Sequence, residues 1–450
     1  MYSPSDTIVA IATPPGRGGI GVVRVSGPAV RDVAAALAGS AVSLESRRAT
    51  LAAVHAGGAR IDRAVLTLFP APHSYTGEDV LEISAHGSPA LLRAIVEAAM
   101  QAGARLAEPG EFTLRAYLQG RIDLVQAEAV QDLVAAVTPL QARAAFDQLE
   151  GTLTARIREI ETALFELSAR LEASLDFPDE GYHFVEPGAA AAEILTVVRK
   201  LDALLSDAQQ GRLVREGAHV VIVGRPNSGK SSLFNRLAGS GRAIVTDIPG
   251  TTRDLVTELV DIEGLAITLV DTAGLHGAPA DAVEREGIAR TQGAQAIADL
   301  VIVVLDTSRP LEGDDRDLLA AAQSRAHVII GNKADQSPAW SLVEAGQDVV
   351  LVSAKSGEGL PVLRRSIAAA LSNHEPLRDT PTVTNARHAN LLARAAEALR
   401  RAARAAETRT PEEFVAADLT EARMSLEEVT GVRTSDDVLH EIFAKFCIGK

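Results

Sequence analysis

Residues 224–231, which read GRPNSGKS, have the residue types and the spacing that hold a phosphate group. They follow an apolar run and precede a helical pattern, so we expect a strand, a loop and a helix in that order. Gly224 and Gly229 can adopt backbone angles closed to other residues, which lets successive N–H groups point at one anion. Lys230 would neutralise the terminal phosphates, and the Ser231 hydroxyl would ligate magnesium. The stretch therefore predicts a P-loop.

Four further segments indicate which nucleotide this loop binds. Residues 271–274 (DTAG) end an apolar strand, where a carboxylate can reach magnesium and an N–H can meet the γ-phosphate. Residues 332–335 (NKAD) also follow a strand, and Asp335 can accept two hydrogen bonds from guanine that adenine cannot supply. Residues 353–355 (SAK) suit a loop against the base, and a threonine within 250–254 (GTTRD) can sense the γ-phosphate. In this order the segments resemble the GTPase superfamily, and we expect the nucleotide to be GTP.

Length and charge limit the kind of protein that this chain can be. Its 450 residues suffice for about two to four domains. The 59 acidic and 44 basic residues give a formal net charge of −15, so there is no general basic coat for nucleic acid. Aromatic residues make up 3%, which argues against a platform that stacks single-stranded bases. Any contact with RNA requires a local patch or a partner.

The chain also carries signals about its compartment. Its single cysteine permits no internal disulfide and is consistent with a reducing cytoplasm. No uncharged apolar run reaches the ~18 residues needed to cross a bilayer, and the N-terminus has no secretion pattern. We expect a cytoplasmic protein that does not enter the membrane.

The first 118 residues are expected to form a compact α/β domain. Their patterns predict strands at residues 7–12, 20–25, 63–69 and 80–84, and helices at residues 31–38 and 89–102. The loop at 14–19 (PPGRGG) between the first two strands is either an anion site or simply a turn.

Helical patterns flank the nucleotide-binding segments on both sides. One apolar stripe with steps of three and four residues predicts a continuous helix that packs in the core, with a partner-binding groove as the alternative. The stripe comprises Leu149, Leu153, Ile157, Ile160, Leu164, Leu167 and Leu171. Helical patterns recur at residues 187–215, 384–409, 411–430 and 435–446. Thr138 before Pro139 indicates one helix start, and Ser435 indicates another. We therefore predict a domain at 1–118, a first helical part at 119–216, an inserted nucleotide-binding domain at 217–375 and a second helical part at 376–450.

Two positions differ from those of many regulatory GTPases. Leu275 stands where a glutamine orients the attacking water, so another group must do so, and the acidic candidates are Asp281, Glu284 and Glu286. Asn227 lies inside the P-loop, where its amide oxygen would either ligate a monovalent cation or make an ordinary hydrogen bond within the loop.

Motifs outside the nucleotide segments indicate one family. They are residues 13–19 (TPPGRGG), 75–79 (YTGED), 109–112 (PGEF), 176–180 (DFPDE) and the tail 446–450 (FCIGK). From end to end, the chain resembles the MnmE (TrmE) family of tRNA modification GTPases.

The resemblance implies a multidomain α/β plus α fold. It would consist of an N-terminal α/β domain that binds folate and dimerises, a split helical-bundle domain and an inserted Ras-like P-loop GTPase domain. The homodimer would work with the flavoprotein MnmG (GidA), in a heterotetramer, on carbon five of the wobble uridine of certain tRNAs. An aminomethyl-type group would be built there with a one-carbon unit from a tetrahydrofolate derivative, in the 5-formyl or methylene form. GTP, Mg²⁺ and K⁺ would bring the two GTPase domains together.

Motif matches to the family assign roles to residues around the nucleotide. Glu284 matches the residue that orients water, and Ser231 and Thr252 match the magnesium ligands. The potassium site would comprise Asn227, Thr246, Ile248 and Thr251. The predicted GTP-binding residues are Asn227, Ser228, Gly229, Lys230, Ser231, Ser232, Thr246, Asp247, Ile248, Pro249, Gly250, Thr251, Thr252, Asp271, Thr272, Ala273, Gly274, Asn332, Lys333, Ala334, Asp335, Ser353, Ala354 and Lys355.

The same resemblance assigns a folate site. Arg24, Glu82 and Arg121 fall where the family contacts folate, and Lys450 belongs near them because the tail folds back. Some members have lysine in place of Arg121, which keeps the charge but changes the geometry. Cys447 has two interpretations, chemistry beside the one-carbon site or packing on an apolar helix.

Other functions remain as alternatives. A ribosome-assembly GTPase would share the nucleotide segments, a regulatory GTPase would have no role on tRNA, and a stand-alone folate enzyme would use the first domain alone. The basic residues Arg394, Arg400, Arg401 and Arg404 are either a local RNA-binding face or a solvated surface.

Overall fold

The computed structural model describes residues 6–176, 187–241, 256–271, 298–345, 348–377, 382–408 and 410–450. The chain divides into two compact units, Met1–Gln131 with Glu427–Lys450, and Asp132–Leu426. This division is coarser than the four predicted parts, so the boundaries at 118, 216 and 375 stay predictions.

Each unit contains one six-stranded sheet in its described residues. The first has the order β3-β4-β5-β2-β1-β6 and the second β12-β11-β10-β7-β9-β8. The strands of the first sheet are β1 (Thr7–Ile11), β2 (Gly18–Ser26), β3 (Thr50–Ala56), β4 (Ala59–Phe69), β5 (Val80–Gly87) and β6 (Ala104–Leu106). Those of the second are β7 (Ala218–Val223), β8 (Val256–Ile262), β9 (Leu265–Asp271), β10 (Leu300–Asp306), β11 (His327–Asn332) and β12 (Val349–Val352).

In the sequence, most helices come between the last strand of the first sheet and the first strand of the second, or after the last strand. In the described residues the helices are α1 (Val30–Ala38), α2 (Pro89–Gln101), α3 (Glu111–Leu118), α4 (Leu124–Ala135), α5 (Pro139–Leu149), α6 (Thr152–Asp176), α7 (Pro187–Leu205), α8 (Ala208–Glu216), α9 (Lys230–Gly241), α10 (Gly313–Ala322), α11 (Leu360–Leu371), α12 (Ala386–Glu407), α13 (Glu412–Thr430) and α14 (Asp436–Phe443). None of these helices is both long and apolar enough to cross a membrane. The predicted multidomain α/β plus α class is confirmed.

The first sheet is antiparallel except where β1 pairs with β6. Its apolar face and α1 and α2 enclose one core of Val, Ile, Leu and Ala side chains. All four strands and both helices predicted in this part are present, with ends shifted by a few residues. The sequence patterns missed β3, which is rich in alanine, and β6, which has three residues.

A buried charge network holds the first unit together. Arg115 has 0% exposure, and its guanidinium donates to Asp6 Oδ1 at 2.7 Å and to Glu111 Oε1 at 2.9 Å. It also reaches Glu78 Oε2 at 3.0 Å, while Arg105 donates to Glu111 Oε1 at 2.6 Å. Burial opposes the ionisation of Glu111, but the hydrogen bonds from Arg105 and Arg115 hold its pKa below the ordinary value. The charges therefore compensate one another inside the fold.

The second sheet is parallel except for its edge strand β8. Its central strands are buried on both sides: Val220 and Ile222 belong to one core cluster, and Val221 and Val223 to another. This explains why these strands are continuous apolar runs in the sequence. The runs before each predicted nucleotide segment are strands, as expected.

The predicted apolar stripe is confirmed along α6 but is wrong at its first residue. From Leu153 to Leu171 the six stripe residues are buried. Leu149 belongs to α5 instead, because Gly151 takes a positive φ of 84° between the two helices. A glycine in that conformation ends one helix, so the stripe is not continuous.

The other predicted helices are present with small changes. The pattern at 187–215 is two helices, α7 and α8, and the three later patterns are α12, α13 and α14. Thr138 caps α5 as predicted, since its hydroxyl accepts from Gln141 N at 3.2 Å within a capping box. Ser435 is the N-cap residue of α14, but its side chain makes no cap hydrogen bond.

We predict that Arg115→Ala destabilises the first unit by about 3–5 kcal/mol, because it removes the buried positive charge that Asp6, Glu78 and Glu111 share. Arg48→Ala is the matched control, since Arg48 pairs with Glu45 at an exposed position and should cost less than about 1 kcal/mol. Urea unfolding of both variants measures the difference. Equal midpoints would show that the buried network does not stabilise the fold.

Candidate functional site

The P-loop has the predicted strand, loop and helix around it. It lies between the end of β7 at Val223 and the start of α9 at Lys230. A Cβ at Gly224 would lie 2.4 Å from the carbonyl oxygen of Val304, so the close approach of the neighbouring strand requires glycine there. Gly229 has a φ of 95°, and Asn227 also has a positive φ, of 64°. The loop thus has the tight backbone that directs N–H groups at an anion.

Lys230 is buried at the mouth of this loop. Its ammonium donates to the carbonyl oxygens of Gly224 and Arg225, each at 2.9 Å. Burial lowers the pKa of Lys230, an effect that the negative charge of Asp271 opposes. A cation held in a desolvated position is well placed to bind phosphate oxygens.

Asn332 links the P-loop to the segments predicted to meet the base. Its side chain is 2% exposed, its Nδ2 donates to Ser228 O at 2.8 Å, and its Oδ1 accepts from Ala354 N at 3.1 Å. A Cβ at Gly229 would lie 2.1 Å from this amide nitrogen. The three nucleotide segments are therefore joined through one side chain.

The carboxylate of Asp335 is exposed and is held in place from one side. The Ser353 hydroxyl donates to its Oδ1 at 2.6 Å, and this hydrogen bond lowers the pKa of Asp335. Arg236 supports the same loop by donating to Ala354 O at 3.2 Å and Lys355 O at 2.6 Å. An ionised, oriented acceptor suits the paired donors of a guanine edge.

The residues expected near magnesium lie beside the P-loop. Asp271 is buried at the end of β9, and it pairs in register with Ile222 of β7, two residues before the P-loop begins. Ser231 and Ser232 are exposed in the first turn of α9. A carboxylate and hydroxyls are oxygen ligands of the kind that Mg²⁺ prefers.

Asn227 is exposed, and its amide makes no hydrogen bond to the residues that the structure describes. The interpretation as an ordinary loop hydrogen bond therefore has no support in this part of the chain. An exposed amide oxygen beside the phosphate loop is compatible with a cation ligand.

Several predicted site residues lie outside the described residues. They are Thr246, Asp247, Ile248, Pro249, Gly250, Thr251, Thr252, Thr272, Ala273, Gly274 and Glu284.

A second polar cluster lies on the first sheet. Arg24 and Glu82 are paired in register on neighbouring strands, and the guanidinium donates to Glu82 Oε1 at 2.8 Å and 3.0 Å. It also donates to the Gly449 carbonyl at 3.4 Å and lies over the rings of Tyr75 and Phe112. The C-terminal tail therefore folds back to Arg24, and the cluster combines charge with aromatic faces.

The remaining residues of the predicted folate set lie in the same unit. Arg121 is exposed, and its Cγ lies 3.4 Å from the place that a Cβ of Gly77 would take. Lys450 ends the tail, where its backbone N–H donates to Cys447 O at 3.3 Å. Cys447 itself is exposed and lies beyond α14, so the interpretation as helix packing is wrong.

The basic residues on α12 are largely paired. Arg400 is paired with Asp202, and Arg401 donates to Asp418 at 3.0 Å and to Glu421. Acidic neighbours neutralise this face, which favours the solvated surface over an RNA-binding patch.

Sequence reasoning missed a group of residues that contact the site. Asp306 pairs with Lys333, Trp340 donates to the Asp306 carbonyl, and Asp315 pairs with Arg225 of the P-loop. A signal was available for Asp306, since it is a carboxylate at the end of an apolar strand, as Asp271 is. Asp315 lies inside a helix and gave no such signal.

Comparison with known families covers both units. A family model described as the GTP-binding protein TrmE N-terminus matches residues 7–121, and one described as the MnmE helical domain matches residues 124–447. The chain is 46% identical to the tRNA modification GTPase MnmE of Koribacter versatilis, over 99% of each chain. It is 43% identical to the MnmE of Nitrosomonas europaea over 99% of each chain, and 44% identical to that of Chloroflexus aurantiacus over 99% of this chain and 100% of that one.

Two solved structures each match part of the chain. The G domain of the T. maritima FeoB iron transporter is 29% identical and covers 34% of this chain and 98% of its own, with a TM-score of 0.27. Aquifex aeolicus Era is 25% identical and covers 40% of this chain and 66% of its own, with a TM-score of 0.29. TM-scores this low do not establish a shared fold over the whole chain.

We predict that Gly229→Ala abolishes binding of guanine nucleotide, because the added methyl group would meet the Asn332 amide and the positive φ would be strained. Calorimetric titration with GDP measures the loss. Gly239→Ala is the matched control, since Gly239 lies within α9 and a Cβ there would meet nothing within 4 Å. Equal affinities of the two variants would contradict the role given to the Gly229–Asn332 contact.

Proposed function

The chain belongs to the MnmE family of tRNA modification GTPases, and from that premise we propose that it couples GTP hydrolysis to modification of the wobble uridine of certain tRNAs. The observation that carries the proposal is identity of 42–46% to MnmE proteins across 99% of the chain. A P-loop with a buried lysine and an oriented Asp335 supports the choice of GTP. A cytoplasmic location is part of the proposal.

The described residues have distinct tasks in nucleotide binding. The P-loop N–H groups and Lys230 would bind the phosphates. The Lys230 ammonium would leave the two carbonyl oxygens that now accept from it and turn toward the phosphates. Asp335 would accept from the guanine edge. Ala354 N is already engaged by Asn332, which fixes the loop against which the base would lie.

We propose two cation sites next to the phosphates. Ser231 and Thr252 would hold Mg²⁺, with Asp271 beside them, and the ion would neutralise charge on the phosphates. Asn227, Thr246, Ile248 and Thr251 would hold K⁺, which would supply positive charge where other GTPases use an arginine. Glu284 would orient the attacking water, since Leu275 cannot.

The first unit would bind the donor of the one-carbon unit. Arg24, Glu82, Arg121 and Lys450 would bind a tetrahydrofolate derivative in the 5-formyl or methylene form, and the aromatic faces over Arg24 suit its planar ring. We further propose a homodimer that works with the flavoprotein MnmG. GTP-driven pairing of two GTPase domains would then be coupled to the modification of tRNA.

We predict that cells without this protein lose the aminomethyl-type modification at carbon five of the wobble uridine. Mass analysis of tRNA nucleosides measures it. The intact gene should restore the modified uridine, whereas Glu284→Ala should keep nucleotide affinity and fail to restore it, because water is no longer oriented. Unchanged nucleosides would remove the role on tRNA and favour a ribosome-assembly or regulatory GTPase.

We predict that replacing K⁺ by Na⁺ at constant ionic strength lowers the GTP turnover number at least about tenfold, because a site that selects K⁺ would hold the smaller Na⁺ less well and the positive charge would be missing at the transition state. Phosphate release measures the rate. Asn227→Ala should be slow in both salts and lose the difference between them. A wild-type rate that is equal in both salts would overturn the cation site.

A further inference from the structure

We propose that Asp306 is a positioning residue for the nucleotide, because it fixes Lys333 between the P-loop and the base-binding loop. The inference rests on the proposed binding of GTP at this site. It adds a support that lies outside the five nucleotide segments, at the end of β10, where the connection to α10 begins.

The pair between Asp306 and Lys333 is short and well supported. Lys333 Nζ lies 2.6 Å from Asp306 Oδ2, and both side chains are mostly buried. The other oxygen, Oδ1, accepts from Ser308 N at 2.9 Å and Ser308 Oγ at 2.6 Å. Burial opposes the ionisation of Asp306, but the hydrogen bonds from Lys333 and Ser308 hold its pKa below the ordinary value. The carboxylate is thus ionised and fixed in orientation.

The backbone around Asp306 is tied to the same loop. Trp340 Nε1 donates to Asp306 O at 3.0 Å, and the Thr307 hydroxyl donates to Asn332 O at 2.8 Å. Lys333 itself has a positive φ of 65°, a conformation that lysine rarely adopts. Such a strained conformation persists only where surrounding contacts hold it, and here the hydrogen bonds of Asp306 and Asn332 hold it.

The same connection reaches the P-loop at its other end. Arg225 pairs with Glu312 at 2.7 Å and with the buried Asp315 at 3.3 Å, at the start of α10. The carbonyl of Arg225 is one of the two that hold Lys230. One stretch of chain therefore braces the phosphate end and the base end of the site.

The position of Lys333 explains what the brace would do. Lys333 lies between Asn332, which binds the P-loop, and the segment that carries Asp335. With its ammonium held by Asp306, its four methylene groups form a fixed apolar arm that can cover the base and ribose. Without Asp306 the arm regains its rotamer freedom, and ordering it on binding costs affinity.

The test compares nucleotide binding and turnover in Asp306→Asn, Lys333→Met and the double variant. We expect each single change to weaken GDP and GTP binding equally, by about tenfold, because the arm does not meet the γ-phosphate. The KM for GTP should rise by the same factor while kcat stays unchanged. The double variant should be no weaker than either single one, because both remove the same interaction.

A matched control separates positioning from a general effect of charge. Asp317→Asn makes the same change on α10, where Asp317 is exposed and has no hydrogen-bond or ion-pair partner in the described part of the chain. It should leave the GDP affinity unchanged. The chain has a single tryptophan, Trp340, so its fluorescence follows the binding loop directly during the titration.

The outcomes are distinct. If wild-type protein binds no guanine nucleotide, the proposed function fails and this inference falls with it. If wild-type protein binds the nucleotide and Asp306→Asn binds it equally well, only the positioning role is overturned. The same conclusion follows if the two tenfold losses multiply to about a hundredfold in the double variant. If Asp306→Asn does not fold, Lys333→Met decides alone: equal loss of GDP and GTP affinity supports the role, and unchanged affinity overturns it.

Discussion

The nucleotide-binding unit depends on one buried amide. Asn332 donates to the P-loop at Ser228 O and accepts from Ala354 N, so it satisfies both of its functional groups across three segments. Loss of either partner would leave a buried polar group unpaired, which costs about 1–3 kcal/mol. The contact also explains Gly229, since the amide fills the space that a Cβ would need. The phosphate and base ends of the site are therefore one structural body.

The position of this body follows from the sheet. The P-loop, Asp271, Asp306 and Asn332 all lie at the carboxyl ends of parallel strands, where ligands bind in open α/β sheets. That placement was predictable, because each segment directly follows an apolar run buried on both faces. The motif at 332–335 was found from the sequence for this reason. The partner of Asn332 on the P-loop, 104 residues away in sequence, was not.

The features that the sequence did not reveal share a physical cause. Asp306 and Lys333 are 27 residues apart, and Arg225 and Asp315 are 90 apart, so no local pattern carries either pair. Gly151 separates Leu149 from the rest of the predicted stripe because its φ is positive, which residue spacing does not show. β3 was missed because alanines give little alternation. Periodicity reports which faces are buried, whereas pairing across the fold depends on how those faces pack.

The same distinction applies to the motifs that revealed the family. Glu78 and Glu111 belong to two of them, yet both are bound to Arg115 inside the first unit and so stabilise its fold. Arg24 and Glu82 belong to neither motif, but they pair beside aromatic rings and the returning tail. A motif residue can therefore be required for the fold alone. For this reason the Arg24 cluster, and not the motif glutamates, is where substitutions should test the proposed folate site without unfolding the unit.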